Sequence, residues 1–250
     1  MRKFAVKFLI YLYIISSKIL STAVTDEVNK RRLRIALTSF FCRIGLKPLG
    51  LKPSFSGAEE LKNAGGCLVV CNHMSYLDII VMASLRPFVF VSSVDMREKP
   101  FVGIIAELGG TFFVERRNAS RLRDEIKDIA SLMEKGFAVV LFPEGTSTDG
   151  SQVLPFRAPF IESARKAGVP VYPCCLKYES INGEPFSDLN RDLVCWYGDM
   201  EFEPHFESLF RMESVKASLR VMASADASHA DRKELGDYLF SEVCSAYYAS

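Results

Sequence analysis

Five consecutive residues, Cys67-Leu68-Val69-Val70-Cys71, are apolar at every position and are followed at once by Asn72-His73. A strand with no polar side must be covered on both faces, which happens where helices pack above and below a parallel sheet. Comparable short runs recur at Phe88 to Ser92, Thr111 to Val114, Ala138 to Phe142, Val169 to Tyr178 and Leu193 to Tyr197, with a late one at Val215 to Met222. Between them lie amphipathic stretches of helical length: about Ala119 to Lys135, closed by Gly136; about Pro159 to Lys166, closed by Gly168; and a terminal one from Ala230 to Tyr248. This alternation predicts an α/β fold with a mixed, largely parallel sheet flanked by helices. The 250 residues, 49% hydrophobic and 24% charged, suffice for one core and exclude a disordered or collagen-like chain.

The formal net charge of +1 conceals a division. Residues 1–52 carry 11 basic and 2 acidic side chains, a net +9, and the remainder carries −8. The basic part opens with a tract whose longest uncharged stretch before Lys18 is Phe8 to Ser17. As a helix that stretch covers roughly 15 Å of a hydrocarbon layer about 30 Å thick, so a simple span would have to accommodate Lys7 and Lys18. A secretory signal fits poorly, because Lys18 interrupts the apolar body. On a helical wheel Lys3, Lys7 and Lys18 fall within about 60° of one another, with Tyr11 and Ile14 on the same stripe and the other faces apolar. After the break at Thr25 to Asn29 a second helix opens with Lys30, Arg31, Arg32 and Arg34 and ends near Gly45, Pro48 and Gly50. Residues 1–52 are therefore read as an amphipathic helical hairpin that associates with a membrane, residues 53–250 as one domain of catalytic size. An ordinary hairpin packed on the domain and a true membrane span are the alternatives. The expected location is the cytoplasmic face of the cell membrane, peripheral or monotopic, with lipids and no nucleic acid as partners.

The seven cysteines are odd in number and lack CxxC spacing, so they read as reduced thiols with no metal site. Of the three histidines, His73, His205 and His229, only His73 sits at the carboxyl end of a buried strand, where open α/β sheets place ligands. Asp78 lies five residues on, and pairs with His73 as base and orienter if the turn between them folds back. Equally, Ser75-x-x-Asp78 fits a capping box at a helix start. A second cluster, Gly109 to Arg117, ends an apolar strand on two arginines, which suit an oxyanion or a solvated strand exit. A third, Val139 to Gly150, follows a buried strand with a Gly-containing loop in which Glu144 can pair with an arginine such as Arg116. It lacks the ending of a nucleotide-binding P-loop.

Together these clusters resemble the glycerolipid acyltransferase family, which includes the 1-acylglycerol-3-phosphate acyltransferases. Asn72, His73 and Asp78 match its NHxxxxD block, Gly110, Phe113 and Arg116 its Gly-x-x-Phe-x-x-Arg block, and Phe142 to Thr146 its FPEGT block, with Val169 to Pro173 similar to a fourth. The resemblance runs from about residue 53 to 180. It implies O-acylation of a lysolipid: His73 takes the proton of the acceptor hydroxyl, Asp78 orients the imidazole, and the hydroxyl attacks the thioester of acyl-CoA or acyl-carrier protein. It also implies that Asn72, Arg116, Glu144, Gly145, Thr146 and Arg157 bind substrate, with Arg116, Gly145 and Thr146 on a phosphate and Glu144 orienting Arg116 or a glycerol hydroxyl. A backbone amide near Asn72 or His73 is the expected oxyanion donor, and no resident cofactor or metal is implied. The acceptor expected first is 1-acyl-sn-glycerol-3-phosphate, giving phosphatidic acid. The Ser147-Thr148-Asp149-Gly150 sequence after FPEGT departs from members that carry Arg there and is similar to lyso-ornithine-lipid acyltransferases, so lyso-ornithine lipid or another lysophospholipid is the alternative acceptor. A thioesterase and a non-catalytic lipid-binding protein are the readings with different chemistry.

Overall fold

The structure, a computed structural model, describes residues 1–115, 119–157, 159–227 and 231–249. In chain order its elements are α1 (Arg2–Ala23), α2 (Glu27–Leu49), β1 (Leu51–Ser56), α3 (Glu59–Asn63), β2 (Cys67–Cys71), α4 (Tyr76–Leu85), β3 (Val89–Ser93), α5 (Val94–Arg97), α6 (Val102–Leu108), β4 (Phe112–Val114), α7 (Ala119–Glu134), β5 (Ala138–Leu141), α8 (Glu162–Ala167), β6 (Val171–Ile181), β7 (Glu184–Pro185), α9 (Phe202–Ser208), β8 (Val215–Val221) and α10 (Arg232–Tyr248). One sheet runs β1-β8-β6-β2-β5-β3-β4, with β7 paired to β6. From β6 to β4 every neighbour is parallel. Strand β8 joins β6 antiparallel and carries β1 parallel to itself at the margin.

The central strands show why the all-apolar runs are needed. In β2, Cys67, Val69 and Cys71 join the core on one face, and Leu68 and Val70 the core on the other. In β5, Ala138 and Val140 divide from Val139 and Leu141 in the same way. Each alternate side chain thus meets a different helix layer, the mixed and largely parallel α/β arrangement read from the sequence.

Two expectations are corrected. Leu193 to Tyr197 is not a strand: Arg191–Leu193 is a 3₁₀ turn, and Val194 and Cys195 donate to the Arg191 carbonyl and Trp196 to the Met74 carbonyl. Its amides are spent on the turn and on Met74 rather than on a neighbouring strand. Conversely, Leu51 and Lys52 belong to β1 and not to the hairpin. Pro53 is tolerated there because β1 is an edge strand.

The two N-terminal helices form the expected hairpin. Asp26 caps α2 by accepting from the Asn29 amide at 2.8 Å, and Gly50 closes it in the left-handed region (φ 72°). The hairpin docks along the body. The Arg2 guanidinium bonds the Pro48 and Met212 carbonyls, Lys3 and Lys7 both pair with Glu207 of α9, and the Tyr13 hydroxyl meets Thr38 and the Ile105 carbonyl. Gly110, the glycine of the second block, lies against Arg31, Arg34 and Ile35 of α2. It has φ 79°, and a Cβ there would sit 3.2 Å from Ile35 Cγ2.

Gly110→Ala combines a left-handed backbone with that contact, so it should destabilise the protein by about 1–2 kcal/mol in urea unfolding. Gly65→Ala, with nothing within 4 Å of the added atom, is the comparison. Equal stabilities would contradict the close packing of α2 on this turn.

Candidate active site

Strands β2 and β5 are parallel neighbours, with Val70 opposite Leu141. Their carboxyl ends therefore release Asn72-His73 and Phe142-Pro143-Glu144 side by side, although the two segments are some seventy residues apart in sequence. The chain leaving β2 crosses by α4 to β3 on one side, and the chain leaving β5 passes to β6 on the other. These oppositely directed crossovers meet at the β2–β5 pair, whose carboxyl ends form the crevice where open α/β sheets bind ligands.

His73 occupies that crevice. Its Nδ1 lies 2.9 Å from Asp78 Oδ2, and the same oxygen accepts from the Met74 and Ser75 amides at 2.7 and 2.9 Å. The other oxygen, Oδ1, accepts from the Tyr178 hydroxyl at 2.6 Å. Both readings of Asp78 hold at once. Ser75 is the N-cap of α4 and Asp78 completes its capping box, and the turn that the cap imposes folds His73 back over the carboxylate. A carboxylate surrounded by donors takes the hydrogen of Nδ1, which leaves the Nε2 lone pair free to act as a base. The His73 side chain is 20% exposed while Asp78 is wholly buried, so only the imidazole can meet a substrate. Phe142 supports the ring from behind, stacked at 4.0 Å between centroids and 15° between planes. Burial beside the Asp78 charge pushes the Tyr178 hydroxyl well above its ordinary range, so it stays a donor.

Several expected substrate contacts are absorbed by the protein itself. The Asn72 amide is buried and bonds Leu176 twice, accepting from its N–H at 2.8 Å and donating to its carbonyl at 2.9 Å. It extends the β2–β6 ladder past Cys71 with a side chain and does not reach the crevice. Glu144, 2% exposed, accepts from the His73 amide at 2.7 Å and the Leu154 amide at 2.8 Å. It braces the His73 turn against the FPEGT loop, and both its oxygens are turned to those amides rather than to a glycerol hydroxyl. The His73 amide is thereby occupied and is not the expected oxyanion donor. Arg116 lies outside the described residues, as does His229.

Gly145, Thr146 and Arg157 do come together at the rim. Gly145 has φ 77°, and the Arg157 side chain lies across it, 3.3–3.4 Å from where a Cβ would be. The Arg157 amide donates to the Pro143 carbonyl at 2.8 Å, and both Thr146 and Arg157 are exposed. The segment after FPEGT faces the protein. Ser147 Oγ donates to the Trp196 carbonyl at 2.5 Å, the Thr148 amide to the His73 carbonyl at 2.9 Å, and Asp149 pairs with Arg191 at 2.9 Å. His205 is buried with its Nδ1 2.9 Å from the Tyr76 hydroxyl, and burial lowers its pKa. Among the described residues no three His, Cys, Asp or Glu side chains gather as a metal-holding group, and all seven cysteines are free thiols.

An apolar cavity of about 240 Å³ separates the hairpin from the body. Val6, Ile10 and Tyr13 of α1, Phe41 of α2, Tyr76 and Ile80 of α4 contribute to its walls. Phe101, at φ 62°, closes one side and packs on Phe202 and Phe206. Tyr76 directly follows the Ser75 cap, so this cavity adjoins the His73 turn.

Comparison with known proteins agrees with this geometry. A family model described as Acyltransferase matches residues 52–177. The chain is 34% identical over 217 residues, 82% of its length and 78% of the other's, to a lyso-ornithine lipid O-acyltransferase of Brucella abortus. To a 1-acyl-sn-glycerol-3-phosphate acyltransferase of Neisseria gonorrhoeae it is 27% identical over 182 residues, covering 72% of this chain and 69% of the other. The crystal structure of the 1-acyl-sn-glycerophosphate acyltransferase from Thermotoga maritima shares the fold, with a TM-score of 0.66 over 99% of this chain and 96% of that one at 20% identity. The chain belongs to the acyltransferase family and is an acyltransferase.

Glu144 gives this site a pH signature. Desolvation, opposed by the Leu154 and His73 amides and reinforced by the Asp78 charge, pushes its carboxyl up to about 7 from 4.5. The native state then holds a proton that the unfolded chain releases, so this group's contribution to stability is full below pH 4.5 and is lost as pH rises to about 7. Glu144→Gln has no such proton. Its Tm relative to the wild type should climb from pH 5 to 7.5, and a difference independent of pH would refute the raised value.

Proposed function

We propose that this acyltransferase moves a fatty acyl group from a thioester, acyl-CoA or acyl-carrier protein, to the hydroxyl of a lysolipid, with His73 as general base. The observation that carries the reading is the His73–Asp78 pair, with Nδ1 committed to a buried carboxylate and Nε2 open to the crevice. As the acceptor oxygen attacks the thioester carbonyl, Nε2 takes its proton. The tetrahedral intermediate then collapses, the C–S bond breaks, and the leaving sulfur recovers the proton from the imidazolium. The substrate alcohol is the nucleophile, and no acyl-enzyme is required. The apolar cavity beside Tyr76 is read as the seat of an acyl chain.

For the acceptor, two observations favour lyso-ornithine lipid. Relatives bearing that name share more identity with the chain than those named for 1-acyl-sn-glycerol-3-phosphate, and the residues after Thr146 present a paired carboxylate, Asp149, in place of a cation. The exposed Arg157 laid over Gly145 supports the second reading, a phosphate-bearing acceptor giving phosphatidic acid.

The hairpin supports attachment to one leaflet of a membrane, which we place on the cytoplasmic side only as part of the proposal. Helix α1 has the length and apolar character to cross a bilayer, yet its contacts from Arg2 to Tyr13 hold it along the body. Its exposed stripe is Phe4, Phe8, Tyr11, Ile15 and Ile19, and α2 also exposes Phe40 and Ile44, apolar surface suited to lying in the interface. Lys3 and Lys7 are spent on Glu207, so the apolar stripe carries more of the binding than the basic count implies.

With purified protein and one labelled acyl donor, His73→Ala should lower kcat by about 10²–10⁴-fold. Full activity in that variant would dismiss the base. A panel of lysolipids should show preferential esterification of lyso-ornithine lipid, and release of free fatty acid without an esterified product would mean hydrolysis instead. Replacing Phe4, Phe8 and Tyr11 together by serine should release the protein from vesicles in a flotation assay, and undiminished binding would contradict the interfacial stripe.

A further inference from the structure

We infer that Tyr178 is a positioning residue of the acyl transfer, holding the second oxygen of Asp78 so that the first is aimed at His73. The inference rests on the proposed role of His73 as base. Asp78 Oδ2 serves three donors on its own turn, His73 Nδ1 and the Met74 and Ser75 amides. Oδ1 has one partner among the described residues, the Tyr178 hydroxyl at 2.6 Å, arriving from β6 a hundred residues later. Without it the carboxylate is fixed at one oxygen and can pivot, and a buried acceptor is left unsatisfied.

The local sequence delivers this hydroxyl. Strands β2 and β6 pair as far as Cys71 and Cys174. Asn72 then takes both backbone groups of Leu176 with its amide, which keeps β6 in register for one further step. Tyr178 lies two residues beyond, on the same side of the strand, and the register shift between Tyr178 and Ser180 follows it. The Asn of the NHxxxxD block thus acts on the reaction through the strand that carries Tyr178.

The other ionisable groups electrostatically coupled to Asp78 are Glu144 from the β5 loop, Cys71 from β2 and Cys195 from the loop before α9. None of them donates to Oδ1. Removing the Tyr178 donor makes the carboxylate a stronger partner for the imidazolium, so the acid limb of the pH–rate profile should move upward. Strengthening the donor should do the opposite.

The test is a pH–rate profile of the full-length enzyme on its best lysolipid. Tyr178→Phe should lower kcat about tenfold, leave KM for the lysolipid within about twofold, and move the acid limb upward. Tyr178 replaced by 3-fluorotyrosine, whose hydroxyl is a stronger donor, should move the limb downward and serves if the phenylalanine variant folds poorly. Tyr172→Phe removes a 2.8 Å bond to Glu60 at the far end of the same strand and should change neither kcat nor the limb. An unmoved limb in both Tyr178 variants overturns the inference, as does a loss of kcat that merely follows loss of folded protein. If His73→Ala is inactive while the Tyr178 variants behave as wild type, the base survives and only the role of Tyr178 falls; if His73→Ala is active, the reading beneath it falls instead.

Discussion

The buried Asp78 carboxylate is the joint on which the rest of the site depends. It receives four donors from three sources: the His73 imidazole, two amides that begin α4, and a hydroxyl from β6. A buried charge is tolerable only when it is multiply hydrogen-bonded. That necessity makes one residue serve two purposes. The bonds that start the helix also fix the turn, and the turn presents His73 at the carboxyl edge of the sheet. A capping function and a catalytic function are often opposed as alternatives; here the cap is the means by which the dyad is built.

The second constraint is the pairing of β2 with β5, which converts distant sequence into adjacent chemistry. Phe142 stacks on His73 and Glu144 holds the His73 amide. Thr148 returns to the His73 carbonyl, so the loop grips both sides of that residue's backbone. The charged-looking FPEGT loop is in large part scaffolding, and its polar atoms are turned inward for the ordinary reason that buried polar groups must be paired.

How far the sequence is legible follows from these contacts. The parallel strands were readable because both-face burial demands unbroken apolar runs, as in Cys67–Cys71 and Ala138–Leu141. Spacing at a strand end left Asp78 open to two readings, partner of His73 or member of a capping box, and the structure holds both contacts. Asn72 and Glu144 were misplaced because a polar residue in a loop looks the same whether it faces a ligand or a backbone amide; only the partner distinguishes them, and Leu176 and Leu154 are not local to Asn72 or Glu144. Tyr178 was invisible for the same reason. It occupies an ordinary apolar position in an ordinary strand, and its hydroxyl gains meaning only from the register that brings it to Asp78. Leu193 to Tyr197 carried a strand composition, but a strand also needs a neighbour with free edge groups, which composition does not report.

The split of charge between the first fifty residues and the remainder acquires a different sense in three dimensions. Part of the positive excess is consumed internally: Lys3 and Lys7 neutralise Glu207, Arg2 and Arg31 bond the body carbonyls of Met212 and Gly110, and Arg34 bonds Ser21 within the hairpin. The contacts to the body fasten the hairpin to the domain along the apolar cavity instead of leaving it as a tethered anchor. The same helices therefore present an apolar stripe outward and a cavity wall inward. Since Tyr76 belongs both to that wall and to the first turn of α4, a chain lodged between hairpin and body lies next to the turn that carries His73. On the proposed reading it is the position of the hairpin, more than its charge, that brings a lipid chain beside His73.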